Sequence, residues 1–169
     1  MSQSSPRRFR RLAAGLSVAA AATAATLLGA SPAYAQAASV TASVSGGTMF
    51  VTGTSFGDNV SASGGFGTIS LSTLSTGLQA GTGCTQLGAV VRCNGVTKAL
   101  HFQGAGGADK FDASQVRGTT VRLGGGAGND ILIGGSGNDL LAGGTGTDQA
   151  DGRAGSDQCT AESTVRCES

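Results

Sequence analysis

The chain has 169 residues, which is enough for one domain or for a small domain with a tail. A conventional globular core would be hard to fill, because the chain has thirty Gly but only six Phe, one Tyr and no Trp. Collagen is excluded by the presence of only two Pro and the lack of a Gly-X-Y period. A hydrophobic fraction of 39% excludes a fully disordered chain. The formal net charge of +1 becomes −3 (7 − 10) without the four Arg of the N-terminal leader, which argues against nucleic acid as a partner. A solenoid of thin Gly, Ala, Val and Leu layers fits this composition.

The first 35 residues have the pattern of an export signal. Four Arg lie within residues 7–11, and an uncharged, Ala-rich stretch follows over residues 12–30. Small residues then stand at Ala33 and Ala35, which predicts cleavage after Ala35, with Ala37 as the fallback. The alternative is an uncleaved membrane anchor, but Ala is a weak membrane residue. We therefore expect a secreted protein without stable membrane insertion after cleavage; the export route stays open.

Residues 36–103 alternate small polar and apolar residues between Gly-rich breaks, as in VTASVSG, TISLSTL and AVVRCNGV. Such alternation is typical of strands. We expect a β-rich N-terminal segment that continues into a solenoid as irregular coils. A separate small β-domain is the alternative.

The four Cys form two close pairs in the sequence, Cys84 with Cys93 and Cys159 with Cys167. Four Cys allow three connectivities, and local pairing is the simplest because each pair closes a short loop. A four-Cys zinc site is the rival, but neither pair has C-x₂₋₄-C spacing. An exported protein also meets an oxidising compartment. The sequence therefore predicts the disulfides Cys84–Cys93 and Cys159–Cys167.

A nine-residue repeat dominates the C-terminal half. The four regular copies read GGAGNDILI (125–133), GGSGNDLLA (134–142), GGTGTDQAD (143–151) and GRAGSDQCT (152–160). The sixth position of each copy is Asp, at Asp130, Asp139, Asp148 and Asp157. Ordinary turns also favour Gly, Asn and Asp, but they do not need Asp at strict nine-residue intervals.

Weaker copies lie upstream of the regular ones. Residues 104–112 (GAGGADKFD) keep Asp109 at the sixth position, and residues 116–124 carry Val121 there instead. Three extra residues, 113–115, separate these two copies. A further copy over residues 53–61 (GTSFGDNVS) keeps Asp58.

The pattern G-G-x-G-x-D-x-U-x resembles the calcium-binding nonapeptides of the repeats-in-toxin (RTX) family, which form a parallel β-roll. Glycines allow the tight turn of the first six residues, and the last three residues form a short strand with its middle side chain inward. The resemblance implies that two nonapeptides complete one coil of about 18 residues. Stacked turns then bring Asp carboxylates together, and Ca²⁺ accepts both of them with backbone carbonyl oxygens.

The 18-residue spacing predicts which carboxylates meet. Asp130 is expected to pair with Asp148 across one ion, and Asp139 with Asp157 across another on the opposite edge. Asp139 would stack on Val121, so we expect only a half-site there. A third, weaker site would join Asp130 to Asp112, or to Asp109 if residues 113–115 bulge out.

The C-terminal end, DQCTAESTVRCES, is predicted to cap the roll. The inward eighth position runs Leu132, Leu141, Ala150 and Cys159, so the core thins and the last coil needs a cap. Together with GCTQLGAVVRCNGV, this end resembles exported calcium-binding proteins of high-GC Gram-positive bacteria. We therefore expect an all-β protein with a signal peptide (1–35), a β-rich segment (36–103), a β-roll (104–160) and a disulfide-locked cap (161–169).

Catalytic motifs are missing from the sequence. His101 is the only His, and neither HExxH, G-x-S-x-G nor a phosphate-binding loop occurs. We therefore expect a non-enzymatic, extracellular protein with Ca²⁺ as cofactor and partner. The alternatives are an adhesive protein that binds a cell-surface polymer or itself, and an accessory domain of a calcium-dependent hydrolase.

Overall fold

The computed structural model describes residues 39–74 and 77–168, which all lie within one compact unit, Ala33–Ser169. The predicted signal peptide lies outside the described residues. In the described part of the chain, all regular structure is β, and no helix there could span a membrane.

Fifteen strands are present among the described residues. They are β1 (Val40–Ser45), β2 (Thr48–Thr52), β3 (Asn59–Gly65), β4 (Gly67–Thr73), β5 (Leu78–Ala80), β6 (Cys84–Leu87), β7 (Val90–Val96), β8 (Ala99–Gly106), β9 (Lys110–Arg117), β10 (Thr120–Ala127), β11 (Ile131–Ile133), β12 (Leu140–Thr145), β13 (Gln149–Asp151), β14 (Gln158–Thr160) and β15 (Ser163–Val165). They form a first sheet in the order β14-β12-β10-β8-β2-β1-β5 and a second sheet in the order β15-β13-β11-β9-β3-β4-β7-β6.

From β8 onward the chain alternates between the two sheets, and neighbouring strands within each sheet are parallel. In the regular repeats, Leu132 lies opposite Ala150 and Leu141 lies opposite Cys159, so paired residues are 18 positions apart. Two nonapeptides therefore complete one coil and place one strand in each sheet. The predicted parallel β-roll is confirmed.

The strands before β8 pair mainly in antiparallel fashion. The pairs β1–β2, β3–β4, β4–β7 and β6–β7 are antiparallel. They extend the same two sheets, because β2 pairs in parallel with β8 and β3 pairs in parallel with β9. The division into the predicted segments stays a prediction.

The core lies between the sheets and becomes thinner along the chain. Phe102 and Phe111 stack with ring centroids 4.4 Å apart, and both are fully buried. Toward the C-terminus the inward residues shrink to Ala150 and to the half-buried Cys159. Because apolar burial contributes roughly 25 cal/mol per Å², the last coils gain least from the hydrophobic effect.

Candidate metal centre

Glycine permits the close stacking of the repeat turns. Gly128 and Gly146 have φ values of +136° and +145°, a region that favours Gly. They lie 18 residues apart, and a β-carbon on Gly146 would collide with the carbonyl oxygen of Gly128. A side chain at this position would therefore separate adjacent coils.

One column of acidic residues, here called the first ladder, lies where the chain enters the second sheet. Its members are Asp58, Asp109, Asp130, Asp148 and Glu162. The backbone N–H of each of the first four members donates to a carboxylate oxygen of the next, with N···O distances of 2.8, 2.8, 2.9 and 2.8 Å in chain order. One oxygen of each accepting carboxylate is thus fixed by the neighbouring coil.

A second ladder lies where the chain enters the first sheet, and its members are Val121, Asp139 and Asp157. The N–H of Val121 donates to Asp139 Oδ1 at 2.8 Å, and the N–H of Asp139 donates to Asp157 Oδ1 at 2.8 Å. Val121 therefore occupies a ladder position without supplying a carboxylate.

The second oxygen of most ladder carboxylates has no protein partner. The ladder Asp side chains are at most 3% exposed. Within the described residues, the Oδ2 atoms of Asp109, Asp130, Asp148 and Asp157 accept no hydrogen bond. A buried carboxylate oxygen without a partner is costly, because it has lost water and gained nothing in return. These four atoms are therefore candidate ligands for a cation.

Backbone carbonyl oxygens lie beside the ladder Oδ2 atoms, both a free one such as Asp130 Oδ2 and Asp139 Oδ2, which accepts from the Gly135 N–H at 2.6 Å. A β-carbon on Gly125 would contact Asp130 Oδ2 and would stand 2.7 Å from the Gly143 carbonyl oxygen. A β-carbon on Gly134 would stand 2.6 Å from both Asp139 Oδ2 and the Gly152 carbonyl oxygen. The first glycine of a repeat thus lets a carboxylate oxygen of its own turn and a carbonyl oxygen of the next coil approach the same point closely.

Burial disfavours charge on the ladder. It raises the pKa of Asp109 to about 7 and the pKa of Asp139 to about 6, mainly through desolvation. The pKa of Asp130 is also raised, first by desolvation and further by the nearby Asp148 carboxylate. A divalent cation would offset both effects, since it supplies the opposite charge directly.

The donor set determines which ion fits. Over residues 39–74 and 77–168, no three His, Cys, Asp or Glu side chains converge on one point. An ion would therefore take ladder carboxylates from stacked coils and complete its shell with carbonyl oxygens. An all-oxygen shell with many backbone donors suits Ca²⁺, whereas Zn²⁺ favours N and S ligands.

The structure brings together most of the predicted site residues. Asp130 stacks on Asp109 rather than on Asp112, so the three extra residues 113–115 are accommodated within β9, whose register with β3 shifts there. Asp112 pairs with Ile133, and its Oδ1 accepts from the Ser114 N–H at 2.9 Å. Asp112 is therefore not brought to either ladder.

Two ladder residues were not among the predicted ligands. Asp58 contacts Asp109 from 51 residues away, and the only sequence signal was the weak copy over residues 53–61. Glu162 stands 14 residues after Asp148, not 18, and no period indicates it. The bond from the Asp148 N–H lowers the pKa of Glu162.

Both predicted disulfides are present. Cys84 and Cys93 lie directly opposite each other on β6 and β7, at the edge of the second sheet. Cys159 of β14 is bonded to Cys167 beyond β15. The first bond ties two antiparallel strands, and the second ties the chain end to the last repeat.

Comparison with known proteins finds a match in the segment that carries the regular repeats. A family model of the RTX calcium-binding nonapeptide repeat matches four copies over residues 124–159. The chain has no match among curated proteins or solved structures. The matched residues are those that carry Asp130, Asp139, Asp148 and Asp157, with their stacked turns. Residues 124–159 of this chain are therefore four RTX calcium-binding nonapeptide repeats.

Proposed function

We propose that the chain is a secreted, non-enzymatic calcium-binding protein whose repeat coils fold as Ca²⁺ bridges stacked turns. The free, buried Oδ2 atoms of the ladders carry this proposal, because a bound cation relieves them without rearranging the coils. Binding and folding are then linked, since the ligand set exists only when the coils stack.

The proposed ions lie between consecutive ladder positions. One site uses Asp130 and Asp148, and a second uses Asp139 and Asp157, with glycine carbonyls as further ligands. A third uses Asp109 and Asp130. Asp112 is left out of the set, because its side chain lies away from the ladders.

Secretion is supported by two features of the chain. Both disulfides suit an oxidising compartment, and the N-terminal 35 residues have the pattern of an export signal. Calcium is scarce inside cells and plentiful outside, at concentrations that match extracellular modules with Kd of about 10⁻⁴–10⁻³ M. The coils would then fold after export.

The test is far-UV circular dichroism of the mature, oxidised protein during a calcium titration, with Mg²⁺ as the control ion. We expect a gain of β-signal with Ca²⁺ and not with Mg²⁺, because Mg²⁺ demands a smaller octahedral shell and keeps its waters. A protein that is fully folded without Ca²⁺ and binds none would refute the proposal.

An adhesive role is the second candidate, and one surface feature favours it. On the outer face of the first sheet, a groove of about 400 Å³ is lined by Phe50, Lys98, His101 and Arg122. The rings of Phe50 and His101 lie 5.9 Å apart. Cationic and aromatic groups suit an anionic polymer. Co-sedimentation with anionic cell-wall polymer, lost in Lys98→Ala/Arg122→Ala, would support this role.

A further inference from the structure

The last regular repeat ends the nonapeptide pattern but keeps its oxygen arrangement. At Gly53, Gly104, Gly125 and Gly134, the missing β-carbon lets an Asp Oδ2 of the same turn and a glycine carbonyl oxygen of the next coil approach the same point closely. Gly152 shows the same close approach, because Asp157 Oδ2 lies 2.6 Å from its ideal β-carbon position. The carbonyl oxygen that faces it belongs to Arg166. A non-repeat residue thus takes the place of the next glycine.

Asp157 makes this end a candidate site of its own. It is 1% exposed, and its Oδ2 is one of the oxygens that accept no hydrogen bond in the described part of the chain. Its Oδ1 is already used, because it accepts from the Asp139 N–H at 2.8 Å. The free oxygen lies on the side of Gly152 where the Arg166 carbonyl stands.

Three constraints hold the Arg166 carbonyl in place. Arg166 adopts φ = +51°, a left-handed conformation that non-Gly residues adopt only when their surroundings enforce it. Its guanidinium forms an ion pair with Asp151 of β13. The next residue, Cys167, is bonded to Cys159, and the Glu168 N–H donates to the Asp157 carbonyl oxygen at 2.6 Å.

We propose that the disulfide-closed end of the chain completes an additional calcium site, formed by Asp157 and the Arg166 carbonyl. The proposal rests on calcium binding by the ladders. The Cys159–Cys167 bond acts as a positioning device, because it fixes the residue next to the ligand carbonyl. Oxidation of this pair and occupancy of the last site are therefore coupled, and the coupling is reciprocal.

Isothermal titration calorimetry with Ca²⁺ tests the proposal on the mature, oxidised protein. The variant Cys159→Ser/Cys167→Ser should bind one ion fewer, or bind one ion about 5- to 150-fold more weakly. The matched control Cys84→Ser/Cys93→Ser removes the other disulfide and should keep the wild-type count. Equal counts and affinities in the cap variant and the wild type would overturn the proposal. Absence of binding by the wild type would instead overturn calcium binding by the ladders.

A second measurement needs no cysteine variant and so covers a variant that fails to fold. The wild type is treated with dithiothreitol, with and without Ca²⁺. The reduction of each disulfide over time is measured by alkylation and mass spectrometry. Calcium should slow reduction of Cys159–Cys167 by a larger factor than reduction of Cys84–Cys93. This difference should shrink in Asp157→Asn. Equal protection of the two disulfides would refute the coupling.

Discussion

The strands before the repeats and the repeat coils differ in how they accommodate buried Asp carboxylates. In the N-terminal strands, β1–β7, a deep apolar core includes Ile69 and Leu71, and the buried Asp58 finds protein donors. Its Oδ2 accepts from the Thr54 N–H at 2.6 Å, and its Oδ1 accepts from the Thr54 hydroxyl at 3.2 Å. In the repeat coils, β8–β15, Asp109, Asp130, Asp148 and Asp157 each keep a free oxygen, whereas Asp139 Oδ2 accepts from the Gly135 N–H at 2.6 Å.

The difference shows that a nonapeptide repeat buries less apolar area than the strands that precede it. Short strands and thin layers leave little apolar area to bury, as at Ala150. Buried carboxylates then add a cost that neither packing nor hydrogen bonding offsets within the described residues. Under the proposed function, the stability of the coils depends on a bound cation and rises with its concentration.

The largest expected effect comes from removing ladder charge. The double variant Asp130→Asn/Asp148→Asn should lower calcium affinity at least about 100-fold, since even outer-shell partners of a metal contribute about 10- to 100-fold. Calcium-dependent circular dichroism measures the midpoint. Asp112→Asn is the matched control, because it removes a carboxylate outside the ladders. A similar loss in both variants would contradict the ladder assignment.

The next largest effect is expected from core variants, which should distinguish the stability of the N-terminal strands from that of the repeat coils. In saturating Ca²⁺, Leu71→Ala and Leu141→Ala should each lower the free energy of unfolding by about 2–5 kcal/mol, because both side chains are fully buried. Without Ca²⁺, only Leu71→Ala should lower the urea midpoint, since the coil around Leu141 is then already open. Equal effects without Ca²⁺ would mean that the coils fold by packing alone.

Acid should partly replace calcium. The folded-state pKa values of Asp109 and Asp139, about 7 and about 6, lie above the ordinary value of 3.8. Folding therefore favours proton uptake, so this stabilising contribution is complete below about pH 4 and is lost as the pH rises to about 7. Calcium-free protein should show more β-signal at pH 5 than at pH 7.5. The opposite trend would contradict the desolvated ladder.

The smallest expected effect is the gain of a calcium ion at the half-site where Val121 stacks on Asp139. Val121 occupies a ladder position, and its N–H already donates to Asp139 Oδ1. The variant Val121→Asp should bind one additional calcium ion by calorimetry and should be less stable than the wild type without calcium, because it buries a further carboxylate. An unchanged ion count would show that the missing carboxylate is not what limits this position.

The sequence predicted the roll well where the period is unbroken. Asp at strict nine-residue intervals, together with the coil that the RTX resemblance implies, predicted the stacking of Asp130 on Asp148. It left open whether Asp130 meets Asp109 or Asp112, because the period does not show where three extra residues are absorbed. Strand alternation in residues 36–103 predicted β-structure, but alternation does not specify a partner, so the β4–β7 pairing was not foreseen.

The missed ladder residues have a common cause. Asp58 is separated from its ladder neighbour by the intervening strands β3–β8, which no repeat period spans. Glu162 belongs to a shortened coil and replaces Asp by the longer Glu. Both are set by tertiary stacking, which brings the residue before each strand into one column whatever the length of the connection.

The most direct test of the account is hydrogen–deuterium exchange of the mature, oxidised protein, resolved by region, with and without Ca²⁺. We expect amides of the N-terminal strands, such as residues 60–72 and 91–96, to be protected in both conditions. Amides of residues 128–160 should be protected only with Ca²⁺, because their folding depends on the ions that the ladders hold. Full protection of residues 128–160 without Ca²⁺ would contradict the claim that calcium folds the repeat coils.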